Sequence, residues 1–215
     1  MSRPLLISDC DEVLLHMVVP FQAWLDEAHQ IHFDLESGTF VDALRHKHDG
    51  TLVEGGRVWE LLGGFFDSEM HRQGAIEGAV KSINRLAQVA DIAILTNLMD
   101  HRNEMRMQQL KDVGIDFPVF TNQGGKGEAM LRLLEEYKPS AAVFVDDLGH
   151  QHDSIAEHAP HVWRLQFVGE PIIAKHIKTS KSAHARIDDW GGAEEWVRGK
   201  LLAGRAAATN EKEDV

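Results

Sequence analysis

Residues 5–8 and 141–145 read Leu-Leu-Ile-Ser and Ala-Ala-Val-Phe-Val, and each run passes directly into carboxylates, Asp9-Cys-Asp11 in one case and Asp146-Asp147 in the other. A short run that is apolar at every position cannot alternate between a wet and a dry face. It must be covered on both sides, which is the situation of a central strand in a parallel sheet. Residues 92–95 and 162–167 share the pattern, and residues 118–120 form a shorter fifth run. Between them, residues 75–89, 100–113 and 128–137 carry apolar side chains three and four apart, as amphipathic helices do. Gly114 and Pro139 follow two of these segments, where helices stop. Alternating strand and helix predict an α/β fold: a Rossmann-like parallel sheet with right-handed crossovers and helices on both faces.

Residues 15–73 interrupt that alternation. They read as helices around residues 20–30, 37–46 and 58–73, joined by the turn-rich segments Lys47-His-Asp-Gly-Thr51 and Glu54-Gly-Gly-Arg57. The expectation is a small all-helical cap domain of about 60 residues inserted after the first strand, far longer than an ordinary βα connection. Residues 1–14 and 74–202 would then form the core domain, and the Ala-rich, then charged residues 203–215 a disordered tail. A chain of 215 residues has room for such a core and one insertion.

Charge narrows the partners. With 22 basic and 34 acidic residues the net charge is −12, a field that repels nucleic-acid backbones and anionic lipid surfaces. No nucleic-acid or membrane partner is expected, and no stretch approaches the roughly 20 apolar residues of a membrane span. The N-terminal apolar run is too short for a signal peptide, so a cytoplasmic protein is expected. Cys10 is the single cysteine, which excludes an internal disulfide and any multi-cysteine zinc site. An anionic small molecule remains a candidate substrate if a cation meets it locally.

Asp9 and Asp11 are two apart on extended chain, so they share a face at the carboxyl edge of the sheet, where open α/β sheets bind ligands. Such a pair serves either as nucleophile with general acid/base or as an acidic loop capping a helix. If the strands bearing them are neighbours, Asp9, Asp11, Asp146 and Asp147 converge, and that many carboxylates call for a hard divalent cation, Mg²⁺ above all. Thr96 and Asn97 bring a hydroxyl and an amide to the end of the 92–95 run, beside backbone N–H groups that suit phosphate oxygens. Lys126, in Gly124-Gly-Lys126-Gly127, opens a helix at its positive end. The spacing GxxxxGK[ST] is absent, so this is not a P-loop.

In this order the motifs resemble those of the haloacid dehalogenase superfamily, and within it the metal-dependent phosphatase branch. The resemblance spans most of residues 5–195. It implies that Asp9 is the nucleophile forming an aspartyl-phosphate, that Asp11 is the general acid/base, and that Thr96, Asn97 and Lys126 bind the phosphoryl group. It also implies a Mg²⁺ site built from Asp9, Asp11 through its carbonyl, Asp146 and, close by, Asp147. The family usually has Gly after the second Asp, where Glu12 stands here. The insertion corresponds to a cap placed after the first motif, and the roughly 30 residues between Thr96 and Lys126 leave no room for a large second one. A cap favours a small phosphorylated metabolite as substrate. The function implied is Mg²⁺-dependent phosphate-ester hydrolysis. The alternatives are a metal-free 2-haloacid dehalogenase, a phosphotransferase or mutase, and a catalytically idle domain that binds a phosphorylated ligand.

The remaining candidates read as structural. His46 with His48 and His150 with His152 are expected to be surface histidines, since residues two apart share a ligand face only in extended chain. Cys10 should point into the sheet packing as an inert thiol. Arg57 reads as a solvated cation and Trp59 as cap core, while Trp163, Trp190 and Trp196 read as packing. Asp153 reads as the cap of a following helix.

Overall fold

A computed structural model describes residues 2–35, 40–204 and 207. In chain order the elements are β1 (Leu5–Ser8), α1 (Val18–His29), β2 (Ile31–Phe33), β3 (Leu44–His46), α2 (Gly55–Ser68), α3 (Ala79–Leu86), β4 (Asp91–Thr96), α4 (Asn103–Asp112), β5 (Val119–Thr121), α5 (Gly127–Tyr137), β6 (Ala142–Asp146), α6 (Gly149–His158), β7 (Trp163–Gln166), α7 (Pro171–Ala174), β8 (Ala185–Arg186) and α8 (Trp190–Ala203).

Six strands form one parallel sheet in the order β5-β4-β1-β6-β7-β8. Strand side chains alternate between two buried faces. Leu6, Ile94, Val143 and Val145 pack with Ile83 of α3, Leu110 of α4 and Trp190, Val197 and Leu201 of α8. Leu5, Ile7, Leu95 and Phe144 pack with Met130 and Leu133 of α5 and Ile155 of α6. This double cover is why the strands read as continuous apolar runs, and it is the Rossmann-like α/β architecture expected. β1 lies between β4 and β6, with Ser8 opposite Ile94 on one side and Val145 on the other. The chain moves outward from β1 through β4 to β5, then returns to β1's other side as β6. The reversal falls at the carboxyl ends of β1 and β6, the usual ligand position in open α/β sheets.

The insertion is not all-helical. The helix expected over residues 37–46 is replaced where the structure describes it, residues 37–39 lying outside the described residues. Val41–Ala43 is a single 3-10 turn, and β3 pairs antiparallel with β2, Ile31 opposite His46 and Phe33 opposite Leu44. Ile31 and Phe33 are buried and His32 exposed, the period of a strand rather than a helix. The Lys47–Thr51 segment turns through Gly50 at φ +72°, and Leu52 then bridges back to Arg45. The third expected helix is α2 followed by a 3-10 turn at Met70–Arg72.

Phe21, Trp24, Phe33, Leu44, Val58 and Phe65 build an apolar cluster separate from the two beside the sheet, joined by Leu98 and flanked by Ile173. The chain enters and leaves the insertion side by side, the His16 N–H donating to the Gly74 carbonyl and the Ile76 N–H to that of Leu14, both 2.9 Å. Gly169 lies against this joint, its N–H donating to the Glu12 carbonyl at 2.7 Å, and a Cβ there would collide with Ile76. Of the tail, Ala203 ends α8, Gly204 follows at φ +60°, and the Ala207 N–H donates to the His161 carbonyl. The rest lies outside the described residues.

Candidate active site

Asp9 extends β1 by one residue, its N–H donating to the Val145 carbonyl at 2.8 Å, and Asp146 ends β6. Parallel pairing of β1 with β6 therefore brings the two acidic motifs together. Carboxylate oxygens of Asp9, Asp146 and Asp147 lie within 4.8 Å of one another, and all three residues are buried. Lys126, at the start of α5 and 1% exposed, reaches between them, its Nζ 2.7 Å from Asp9 Oδ1 and 2.7 Å from Asp146 Oδ2. Its backbone N–H donates to Gln151 Oε1 at 2.8 Å, which fixes the loop that delivers it. The lysine is thus a buried partner of the acids rather than a solvated surface charge.

The electrostatics follow from crowding. Burial raises the Asp9 carboxyl to about 7 even though Lys126 pulls it down, with Asp146 and Asp11 adding to the rise. Asp147 is pushed well above the ordinary carboxylate range by burial and by Asp146 and Asp9. Burial alone would lower the Lys126 ammonium, but Asp146 and Asp9 raise it above its usual value, so it stays a cation. Three buried carboxyl groups thus crowd around one ammonium and offer a set of hard oxygen donors. That donor set suits a divalent cation such as Mg²⁺.

The other expected residues surround this cluster. Thr96 ends β4, fully buried, and its Oγ1 has no hydrogen-bond partner, a hydroxyl left open for a ligand oxygen. Asn97 is exposed, and its side chain is engaged: Nδ2 donates to the Gly124 carbonyl at 2.9 Å, and Oδ1 accepts from Asn122 at 3.0 Å. It braces the loop that carries Lys126. The Asp11 carboxylate belongs to a different set of partners, accepting from Arg106 and from Gln73 Nε2. Neither donor is evident from the sequence pattern.

Glu12 explains its own departure from glycine. Its backbone sits at φ +57°, the left-handed region that favours glycine, and its side chain gives the position another task. Oε1 accepts from the Met17 N–H at 2.8 Å and the Val18 N–H at 2.7 Å, so the carboxylate caps the start of α1 and ties the insertion to the core. Burial pushes its carboxyl up to about 7 against those two hydrogen bonds.

Several structural readings are corrected. His152 is buried, its Nε2 3.0 Å from the Asp146 carbonyl, rather than a surface side chain. Trp59 is 57% exposed and stacks on Phe40 instead of filling a core. Asp153 lies inside α6 and accepts from Ser182 Oγ at 2.5 Å. Cys10 is buried as expected, but its Sγ lies 3.1 Å from Arg106 Nη1. Arg57 pairs on the surface with Glu60, and the Trp190 ring is buried with Nε1 donating to the Val13 carbonyl.

A doubly covered parallel sheet with a buried acid cluster and an ammonium at its reversal point defines an α/β protein of the Rossmann-like class. Its fold is similar to that of several solved haloacid dehalogenase-like structures. A haloacid dehalogenase-like protein of Streptococcus pneumoniae aligns with TM-score 0.62 at 9% identity over 89% of this chain and 97% of its own. A haloacid dehalogenase-type hydrolase of Bacillus subtilis, solved bound to magnesium, gives 0.62 at 14% identity over 92% and 99%. A Burkholderia xenovorans haloacid dehalogenase-like structure gives 0.61 at 15% over 94% and 100%. No family model matches the chain, and no curated protein matches it in sequence. Among the described residues no helix is long and apolar enough to cross a membrane.

Proposed function

We propose that the protein is a Mg²⁺-dependent phosphohydrolase that removes phosphate from a small phosphorylated metabolite through an aspartyl-phosphate on Asp9. The observation that carries this reading is the convergence of Asp9, Asp146 and Asp147 on Lys126, beside the unpartnered Thr96 hydroxyl. Asp9 is the nucleophile: a carboxylate oxygen bonds to phosphorus as the ester P–O bond breaks. Asp11 gives its proton to the departing oxygen, then takes one from the water that attacks the aspartyl-phosphate and frees Asp9. Lys126 and Thr96 hold phosphoryl oxygens, the lysine exchanging part of its contact with Asp9 for the substrate. Asp9, Asp146 and Asp147 would hold the cation, with the Asp11 carbonyl completing the set. When bound, it neutralises phosphate charge and polarises the phosphoryl group.

A metal-free displacement of halide has no need of the Asp146–Asp147 pair, so the buried cluster favours the phosphatase reading over the dehalogenase one. The insertion, joined to the core beside the acids, supports a small substrate, since such a segment shields the reaction from bulk water. The test is hydrolysis of p-nitrophenyl phosphate with Mg²⁺ and with chelator. Asp9→Asn should lower kcat by at least about 10³-fold. Full turnover in chelator, or in Asp9→Asn, would overturn the reading.

A further inference from the structure

Asp11 takes a cationic partner from α4, apart from the lysine of the acid cluster. Arg106, on α4, is fully buried, and its Nη2 lies 3.0 Å from Asp11 Oδ1 and 3.2 Å from Oδ2. Gln73, where the chain leaves the insertion, donates Nε2 to the same Oδ1 at 2.6 Å and to the His16 carbonyl at 3.2 Å. Oδ1 thus holds two close donors, and Oδ2 has only the longer contact.

Among the described residues the guanidinium pairs with no other carboxylate. Nη1 faces the Cys10 sulfur, a weak acceptor, Nε has no partner, and the guanidinium carbon lies 5.6 Å from the centre of the Phe66 ring of α2. A fully buried arginine is costly unless its charge is matched, so a role limited to packing would be better served by an apolar side chain. The same face of α4 and the turn before it grips the insertion twice more. Arg102 Nε pairs with Asp67 at 2.6 Å, and Gln109 donates to the Met70 carbonyl. Arg106 therefore stands where insertion, core and Asp11 meet.

We propose that Arg106 is the positioning residue for Asp11: its Nη2 spans both carboxylate oxygens while Gln73 adds a second donor to Oδ1, so that Oδ2, with one donor against two, is the oxygen that exchanges the proton. Oδ2 delivers a proton to the leaving oxygen as the P–O bond breaks and its electron pair stays on that oxygen. It then accepts a proton from the attacking water as the aspartyl-phosphate P–O bond to Asp9 breaks. The asymmetry of the two oxygens is the selective element. An unrestrained carboxylate would rotate and present either oxygen, with loss of alignment.

This inference rests on the phosphohydrolase reading, and its test separates the two. Arg106→Gln and Arg106→Lys are compared with the native protein on p-nitrophenyl and phenyl phosphate. Arg106→Gln is expected to lower kcat about 10–100-fold with KM within about threefold, the loss being larger on phenyl phosphate, whose leaving group needs the proton more. Arg106→Lys should recover part of the loss. Placed on Asp11→Asn, Arg106→Gln should cost nothing further, because it acts through the group already removed. Gln73→Leu, which removes the other Oδ1 donor without stranding a buried charge, should show the same leaving-group bias more weakly. It carries the test with Arg106→Lys if Arg106→Gln does not fold. Equal losses on both substrates, or an added loss on Asp11→Asn, would overturn the positioning role and leave the phosphohydrolase reading intact. A native protein without Mg²⁺-dependent turnover would overturn both.

Discussion

Glu12 shows how one side chain can take over a position that favours glycine. Its left-handed backbone is offset by two hydrogen bonds to the start of α1, yet burial raises the carboxyl against them. Its folded value of about 7 lies above the ordinary 4.5. Between those values the folded chain keeps a proton the unfolded chain has released, so stability falls as pH rises through that window. Glu12→Gln keeps an acceptor for the two N–H groups without the charge. In chelator, urea unfolding should find the variant more stable than the native chain by about 3 kcal/mol at pH 8, the advantage shrinking toward pH 4.5. A constant difference across that range would contradict the account.

At the same scale, the acids were legible and the arginine was not. Asp9, Asp146 and Lys126 stand out because an apolar strand or a glycine turn runs directly into each charge. Arg106 is hidden in α4 between two methionines that a hydropathy pattern would bury. The structure reverses the pattern: Arg106 and Leu110 face inward, while Met105 and Met107 are 45% and 44% exposed. A buried charge whose partner is distant in sequence leaves no periodic trace.

Among elements, the long strands and helices of the core were readable and the short ones were not. β1, β4 and β6 are continuous apolar runs. β8 has two residues, and the β2–β3 pair three on each side, too few for a period of two to stand apart from a helical turn. The hairpin exists because it closes the aromatic cluster of the insertion, which neither strand reveals alone. Phe65 is central to that cluster, its ring 5.4 Å from that of Phe21 in an edge-to-face contact. Phe65→Ala should cost about 3–5 kcal/mol. Because this cluster is separate from those flanking the sheet, the loss should fall on the insertion. Hydrogen exchange should rise in α1, α2 and the hairpin while β1, β4 and β6 stay protected. Uniformly faster exchange would show that the insertion and core unfold together.

For the whole molecule, strand order assembles the candidate site, and order was the part the sequence left conditional. Four carboxylates in two motifs form one site only if β1 and β6 are neighbours, and their pairing at Ser8 and Val145 brings Asp9 and Asp146 onto one lysine. The net charge of −12 then has a local counterpart, a buried acidic focus with a single ammonium. A cation bound there stabilises the folded state by mass action. With Mg²⁺ at a hundredfold excess over its dissociation constant, stability should rise by about 2.7 kcal/mol, seen as a higher Tm than in chelator. Asp146→Asn should remove most of that rise. An unchanged Tm for the native chain on adding Mg²⁺ would contradict the metal site.

The proposed chemistry is covalent, with phosphorus bonding to Asp9 before water releases it. On the proposed mechanism Asp11→Asn removes the base of the second step, so the intermediate should accumulate in that variant. Acid-quenched protein, mixed with p-nitrophenyl phosphate and Mg²⁺ and analysed by peptide mass spectrometry, should carry one phosphoryl group on the peptide containing Asp9. The label should be absent in chelator and when Asp9→Asn is combined with Asp11→Asn. Turnover by the native protein with no phosphoryl group on that peptide, or a label that persists without Asp9, would contradict the account.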